Sequence, residues 1–389
     1  MKIKLKQAFD LQMGKTPARN QAENWGGNHR WVSIADIGNA EKYIAKTKEC
    51  ITDAGINASG IKVVPQGTVI MSFKLSIGKT AITAQDMYTN EAIIAFIDKK
   101  IFEIDPNYLY HLCCGTDWTA GTNKAVMGLT LNKATLLEKE ISLPDICQQR
   151  KIAAKLDKID AIIADRQQQL TMIEQAVKSR FIELFGDPVS ATKEEKVELL
   201  ELCEKITDGE HGSVARISEG HPFLNAKHIL KNGNIDWDTI TFIGELEHQR
   251  IYKRCNPEPG DILLTTTGTI GNVAIMPECE EVSMDRGITL LKINHEKVTS
   301  EFVAELLRQD SVQIEMRANV HASAIGHLFM NKVKKLPAIL PAMDRQMEFT
   351  KFVKQTDKSK YYSQKFLTLC RLAVNIYEQE WMKCQTLNF

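Results

Sequence analysis

A heptad pattern of apolar residues runs through two stretches of the chain and predicts two long helices. In the first stretch the core positions form two rows at seven-residue spacing: Ile152, Leu156, Ile159, Ile163, Leu170, Ile173, Val177 and Leu184. In the second stretch, 197 positions later, the same register gives Phe349, Val353, Leu367, Cys370, Val374, Tyr377 and Trp381. Because a heptad helix cannot bury its stripe alone, we predict that the two helices pair within the chain as a coiled coil. The antiparallel arrangement is favoured.

A strand-rich segment precedes each helix. Its short β-branched runs, such as residues 67–73 and 261–267, are separated by Gly, Asn and Pro, which is typical of strands joined by turns. We therefore predict a first head at residues 1–140, a first spacer helix at 141–186, a second head at 187–335 and a second spacer helix at 336–389.

The two halves form an internal repeat. At an offset of 193 residues, Gly67 aligns with Gly260 and Gly78 with Gly271, within 16 positions that hold five identities. Further along, Gln149 aligns with Gln346. The prediction is an α+β protein with two similar mixed α/β domains, joined by two long antiparallel coiled-coil helices that give it an internal pseudo-twofold repeat.

Composition limits the cellular setting. The 389 residues carry 49 basic and 49 acidic side chains, and the nine cysteines include no Cys-x-x-Cys pair. Neither a zinc site nor a disulfide framework is expected. Apolar runs fall far short of the ~20 residues that span a bilayer, and the charged N-terminus does not resemble a signal peptide. We expect a cytoplasmic protein without a membrane partner.

The motif search indicates no intrinsic chemistry. The triplets Gly14-Lys15-Thr16 and Gly78-Lys79-Thr80 imitate a phosphate-binding loop, but Phe9 and Phe73 stand where that motif needs glycine. Neither a His-Glu-x-x-His motif nor a Gly-x-Ser-x-Gly elbow is present. We expect a non-catalytic chain that holds no metal ion.

Four segments carry a family resemblance: residues 222–229, 260–271 and 284–287, and Leu143-Pro144 followed by 148–152. In them the chain resembles the specificity subunits of type I restriction-modification systems. The resemblance implies two target-recognition domains, each reading half of a bipartite double-stranded DNA site. It also implies that two methyltransferase subunits dock on the helices and that restriction subunits join them. The chain itself would hold no cofactor, because S-adenosylmethionine, ATP and Mg would act in the partners.

Polar residues in loops and repeated turns are the candidates for DNA contact, since Arg, Lys and Asn can bond base edges and hydroxyls can bond phosphates. In the first head they are Lys15, Thr16, Arg19, Asn28, His29, Arg30, Lys74, Ser76 and Lys79. In the second head they are Ser213, Arg216, Asn225, Lys227, His228, Thr265, Thr267, Thr269 and Arg286.

Charge leaves alternatives open. Residues 187–335 carry 17 basic and 24 acidic side chains, a net charge of −7, so the second head should bind DNA weakly without partners. A coiled-coil scaffold whose heads bind proteins or a small ligand also fits the neutral total. A third alternative is the recognition part of a fused restriction enzyme, which the absence of an attached catalytic domain disfavours.

Overall fold

The computed structural model describes residues 1–74, 76–118, 131–193, 195–320 and 326–383, with side chains described up to residue 374. By contact the chain divides into two units. Unit 1 comprises Met1–Arg166 with Phe366–Phe389, and unit 2 comprises Gln167–Lys365. Each unit therefore contains one head and a part of both long helices.

The head of unit 1 is built from three sheets. Its strands are β1 (Lys2–Lys4), β2 (Phe9–Met13), β3 (Trp25–Val32), β4 (Tyr43–Ile44), β5 (Glu49–Ile51), β6 (Val69–Ser72), β7 (Thr80–Thr83), β8 (Tyr88–Thr89), β9 (Ile93–Asp98) and β10 (Glu140–Ser142). The strand orders are β2-β9-β6-β7-β4, β5-β3-β8 and β1-β10. Its helices are α1 (Leu5–Ala8), α2 (Ile34–Asn39), α3 (Asp53–Ser59), α4 (Pro106–Gly115) and α5 (Lys133–Glu138), and the long helix α6 (Ile146–Phe185) follows.

The head of unit 2 repeats this plan. Its strands are β11 (Lys196–Glu198), β12 (Cys203–Asp208), β13 (His221–Leu224), β14 (Thr241–Ile243), β15 (Ile262–Thr265), β16 (Val273–Ile275), β17 (Ser283–Met284), β18 (Ile288–Ile293) and β19 (Pro337–Ile339). The strand orders are β12-β18-β15-β16, β14-β13-β17 and β11-β19. Its helices are α7 (Glu245–Tyr252), α8 (Ser300–Arg308), α9 (Asp310–Ala318) and α10 (Met330–Lys334), and the long helix α11 (Met343–Lys383) follows.

The turn after β6 and its counterpart after β15 share one hydrogen-bond network. In unit 1 the Ser72 hydroxyl donates to the carbonyl of Ser76 and accepts the N–H of Lys79 at 3.1 Å. In unit 2 the Thr265 hydroxyl donates to the carbonyl of Thr269 and accepts the N–H of Asn272 at 2.9 Å. The sequence repeat is therefore also a repeat of local structure.

A buried glutamine ties each long helix to its head. The Gln149 amide donates to the carbonyls of Glu103 and Pro144 at 2.9 and 3.0 Å, and its oxygen accepts the N–H of Asp105 at 2.9 Å. Gln346 makes the same three bonds in unit 2, to Lys297, Pro341 and Thr299. Both glutamines are fully buried. Since a buried amide needs partners, these side chains fix where each helix begins relative to its head.

The long helices pair within each unit. In unit 1, Val374 near the end of α11 packs on a core cluster that includes Ile152 and Leu156 of α6. In unit 2, Phe181 near the end of α6 contacts Phe349 near the start of α11, with ring centroids 5.6 Å apart. The start of each helix thus meets the end of the other, and the pairing is antiparallel.

Burial along the helices follows the predicted heptad rows. The departure from these rows lies near a head, at Phe181. The predicted core residues that are buried are Ile152, Leu156, Leu170, Val177, Phe349, Val353 and Leu367. Those that are half-buried are Ile159, Ile163, Ile173, Leu184, Cys370 and Val374. The side chains of Tyr377 and Trp381 lie outside the described ones.

A phenylalanine cluster at the end of α6 was not predicted. Phe181, fully buried, stacks on Phe302 of α8 at 5.4 Å and lies beside Phe185. Here the helix leaves its seam and enters the core of the head.

The predicted α+β class is confirmed, with two similar mixed heads, antiparallel long helices and an internal repeat. Among the described residues, no helix is both long and apolar enough to cross a membrane.

Candidate nucleic-acid interface

Each head has two neighbouring loops in equivalent places, which we call its loop edge. In unit 1 the loop edge comprises residues 14–16 after β2 and 90–92 between β8 and β9. In unit 2 it comprises residues 209–211 after β12 and 285–287 between β17 and β18. Several of the predicted contact residues lie on or beside these edges, so the edges are the candidate interface.

The first loop is held by the same backbone contacts in both units. The N–H of Lys15 donates to the carbonyl of Thr89 at 2.9 Å, and the N–H of Glu210 donates to that of Met284 at 2.8 Å. Gly14 and Gly209 precede these residues, and a Cβ on either glycine would overlap the same carbonyl oxygen. Lys15 and Glu210 therefore occupy equivalent positions.

The second loop is an Asx turn in both units. The Asn90 side chain accepts the N–H of Ala92 at 3.0 Å, and the Asp285 side chain accepts the N–H of Gly287 at 2.9 Å. The backbone N–H groups of Asn90 and Asp285 donate to the carbonyls that end β3 and β13, at 3.0 and 2.9 Å. The residue at the tip, Glu91 or Arg286, is consequently equivalent in the two heads.

Basic candidates of unit 1 surround its loop edge but already have partners. The Lys15 ammonium donates to the carbonyls of Ser59 and Gly60 at 2.9 and 3.2 Å. The Arg19 guanidinium lies 4.0 Å from the centre of the Trp25 ring and pairs with Glu49. A ligand that bonds Lys15 or Arg19 must replace these partners. Groups that form strong hydrogen bonds with a guanidinium or an ammonium are therefore favoured.

The remaining candidates near this edge come from β3 and from the loop after β2. The imidazole of His29 bonds the Asp53 carboxylate at 2.8 Å, while Asn28 is exposed. The Arg30 guanidinium lies 3.6 Å from the Cys50 sulfur, and the Thr16 hydroxyl donates to Glu91. Of these candidates, Thr16 contacts the tip residue of the loop edge directly.

Lys74, Ser76 and Lys79 belong to the repeated turn after β6. The side chains of Ser76 and Lys79 are exposed, and that of Lys74 lies 5.3 Å from the Phe73 ring centre. The Ser76 carbonyl closes the turn network, so this residue has a structural role through its backbone.

In unit 2, Arg286 is exposed at the tip of the loop edge. Beside it, the hydroxyl of Thr267 bonds Nδ1 of His327 at 2.7 Å. Burial, and then the positive charge of Arg286, lower the pKa of His327, which keeps this imidazole neutral at physiological pH. Arg286, Thr267 and His327 therefore form one polar group.

Four other second-head candidates are exposed: Ser213, Arg216, Lys227 and Thr269. The Arg216 guanidinium lies 4.1 Å from the Phe223 ring centre and donates to the carbonyl of Val214 at 2.7 Å. Their contact with DNA stays a prediction.

Two candidates are inaccessible, and the expectation that they contact DNA directly disagrees with their burial. His228 is fully buried, where Nδ1 accepts the N–H of Asn225 at 3.0 Å and Nε2 bonds the carbonyl of Thr239 at 3.2 Å. Thr265 is also fully buried and closes the repeated turn. Both side chains support loops.

Asn225 lies between these classes. Its Nδ2 donates to Asp285 at 3.2 Å, whereas its buried Oδ1 has no hydrogen-bond partner among the described residues. Burial raises the pKa of Asp285. The Asn225 side chain therefore supports the Asx turn that carries Arg286.

Sequence reasoning missed several charged residues at the second edge. Glu210 accepts the N–H of Gly212 at 2.8 Å and pairs with Arg250 at 2.7 Å, and these contacts lower its pKa. His211 pairs with Asp208 at 2.7 Å. The signal available was the alignment of Gly14 with Gly209, which extends the repeat to the residues that follow.

Metal chemistry has no visible support at these edges. Within the described ranges, no group of three or more His, Cys, Asp or Glu side chains could hold a metal ion.

Comparisons with known proteins identify the family. The model of the type I restriction modification DNA specificity domain matches residues 1–175 and 204–365. The MjaIX specificity subunit of Methanocaldococcus jannaschii is 27% identical over 265 residues, which cover 62% of this chain and 60% of that protein. The EcoBI specificity subunit of Escherichia coli is 21% identical over 329 residues, covering 75% of this chain and 68% of that protein. The chain therefore aligns with about three fifths of the jannaschii protein.

Solved structures agree on the fold. A chain from a study of assembly and conformational transition of the type I R-M system has a TM-score of 0.58 at 16% identity, covering 98% of this chain and 96% of that one. The S subunit from M. genitalium has a TM-score of 0.50 at 16% identity, covering 97% and 94%. Because the family model matches most of the chain, the protein belongs to the type I restriction-modification DNA specificity domain family, as its sequence predicted.

Proposed function

We propose that this chain is the non-catalytic DNA-reading subunit of a type I restriction-modification complex. Each head reads one half of a bipartite site, and the paired helices set the distance between the halves. Two methyltransferase subunits dock on the helices, and restriction subunits join that core. Adenine methylation with S-adenosylmethionine, and ATP- and Mg-dependent cleavage, take place in those partners.

The duplicated loop edge is the observation that carries this proposal. Both heads present a tip residue on an Asx turn beside a glycine loop with the same backbone bonds, yet the side chains differ, as Glu91 and Arg286 illustrate. One scaffold with two different sets of polar side chains suits the reading of two different half-sites.

An exposed apolar face on α11 supports docking. Met347, Tyr361, Tyr362, Phe366, Leu369 and Leu372 have between 41% and 69% of their surface exposed. At 100° per residue they lie within an arc of about 140°, opposite the seam residues such as Val353 and Leu367. Exposed apolar surface of this kind marks protein interaction sites. We assign it to the methyltransferase subunits.

The reading function is tested by methylome sequencing of a host that expresses this chain with methyltransferase subunits of a type I system. The expected result is one bipartite adenine-methylated motif. Insertion of seven residues in both long helices should change the gap between the halves and leave the bases unchanged. Absence of any motif from an assembled complex would contradict the proposal.

The docking surface is tested separately with the variant Leu369→Asp. Placing a charge on the apolar face should prevent co-purification of the methyltransferase, because burying an unpaired charge is strongly unfavourable. The control is Ser359→Asp, which places the same charge at an exposed position of α11 outside this arc. Equal co-purification of the methyltransferase with both variants would contradict the assignment of this face, whereas its failure to co-purify with the unmodified chain would favour the scaffold alternative.

A further inference from the structure

The equivalent tip and loop positions of the two heads carry exchanged charges. Unit 1 has Lys15 in the first loop and Glu91 at the tip, whereas unit 2 has Glu210 in the first loop and Arg286 at the tip. The equivalence rests on matching backbone hydrogen bonds and therefore does not depend on a sequence alignment. The charge pattern of one edge is the reverse of the other.

The backbone at Arg286 is rigidly held while its side chain is accessible. The N–H of Arg286 donates to the carbonyl of Glu210 at 2.9 Å. The carbonyl of Gly287 accepts the N–H of Thr266 at 2.8 Å, and Asp285 closes the turn on the other side. A fixed backbone with an exposed arginine reduces the entropy lost when the guanidinium binds.

In unit 2 the acidic residue of the loop edge, Glu210, already has hydrogen-bond partners. The Glu210 carboxylate bonds Arg250 and the N–H of Gly212, and its side chain is only 15% exposed. Arg286 has no such carboxylate partner within 4 Å among the described residues. The second edge therefore offers a cation from its tip.

At the loop edge of unit 1 the positions of the acidic and basic residues are reversed. Its tip residue Glu91 is exposed and accepts a hydrogen bond from Thr16, while Lys15 supplies the cation from the first loop. A tip carboxylate can accept from the amino group of cytosine, whereas a tip arginine can bond O6 and N7 of guanine together.

We propose that residues 91 and 286 are equivalent specificity-determining residues, with Arg286 reading guanine in one half-site and Glu91 reading cytosine in the other. This assignment rests on the proposed function and gives it a chemical basis. At the equivalent turns of the two heads, the arginine thus bonds a guanine and the carboxylate bonds a cytosine, each in its own half-site.

The test uses the whole complex with its methyltransferase subunits and a library in which both half-sites are randomised. For Arg286→Ala we expect discrimination at one guanine of one half-site to fall about 5- to 150-fold, the range for loss of a bidentate contact. Arg286→Lys should restore phosphate attraction but not this discrimination, because lysine lacks the planar fork. Glu91→Arg should create a preference for guanine in the other half-site only.

The matched control is Arg317→Ala, which removes an exposed arginine of the same unit from α9. It should leave both half-sites unchanged. Uniform weakening of all sequences by Arg286→Ala, or changes by both Arg286→Ala and Glu91→Arg in the same half-site, would overturn the assignment. If the unmodified complex selects no sequence, the proposed function fails instead, so the two failures are distinguishable.

Discussion

The buried amide of Gln346 gives the sharpest test of how a long helix is fixed to its head. Gln346→Ala removes three hydrogen bonds, to Lys297, Pro341 and Thr299, each between 2.8 and 3.0 Å. It leaves two carbonyls and one N–H without a partner in a buried site. At about 0.5–1.5 kcal/mol per bond, with an added cost for unpaired groups, the free energy of unfolding of unit 2 should fall by about 2–4 kcal/mol.

The assay is urea denaturation of the purified chain, followed by a probe in unit 2. With an m-value of about 2 kcal/mol/M, the midpoint should move down by about 1–2 M. Gln355→Ala is the control, since this residue is exposed on the same helix, and its effect should stay within about 0.5 kcal/mol. A midpoint for Gln346→Ala equal to that of the control would refute the anchoring role.

Three further perturbations follow from the fold. Gly209→Ala should lower stability by about 1–3 kcal/mol by overlap with a strand carbonyl, whereas Gly244→Ala, with open space around it, should not; urea midpoints compare them. Phe181→Ala should cost unit 2 about 3–5 kcal/mol, and Ile182→Ala, at an exposed neighbour, under about 1 kcal/mol in the same assay. Burial lowers the pKa of His228, so below about pH 6.5 the unfolded chain binds a proton more readily and stability falls as pH falls. The midpoint of His228→Gln should therefore depend less on pH between ~7.5 and ~5.5, and an unchanged slope would contradict this assignment.

The long helices were predictable because two helices that pack along a seam need apolar residues at a regular seven-residue spacing in the sequence. Leu156, Val177 and Leu367 are buried where seven-residue spacing places them. The rule failed at Phe181, which lies off both rows. There the helix packs into the core of a head, and burial depends on residues far away in the chain, such as Phe302.

The candidate site was less predictable, since exposure is a property of the folded backbone. Histidine is a residue type that often contacts ligands at a surface. His228 is nevertheless buried, and its Nδ1 accepts the N–H of Asn225. Glu91 and Arg286 could not be matched by identity, because they differ in charge and only the surrounding hydrogen bonds make them equivalent. Lysine and arginine positions in loops could be proposed, whereas their carboxylate partners could not.

The division of the long helices between the units has a consequence for biosynthesis. Unit 2 needs no residue beyond Lys365, whereas unit 1 also takes in the chain from Phe366 onward. A ribosome that has just made Lys365 has supplied every residue of unit 2, but Ile152 and Leu156 still lack the contact that Val374 brings. Unit 2 is thus the first to have its complete set of residues, and unit 1 lacks the contact from Val374 until the chain beyond Lys365 has been made.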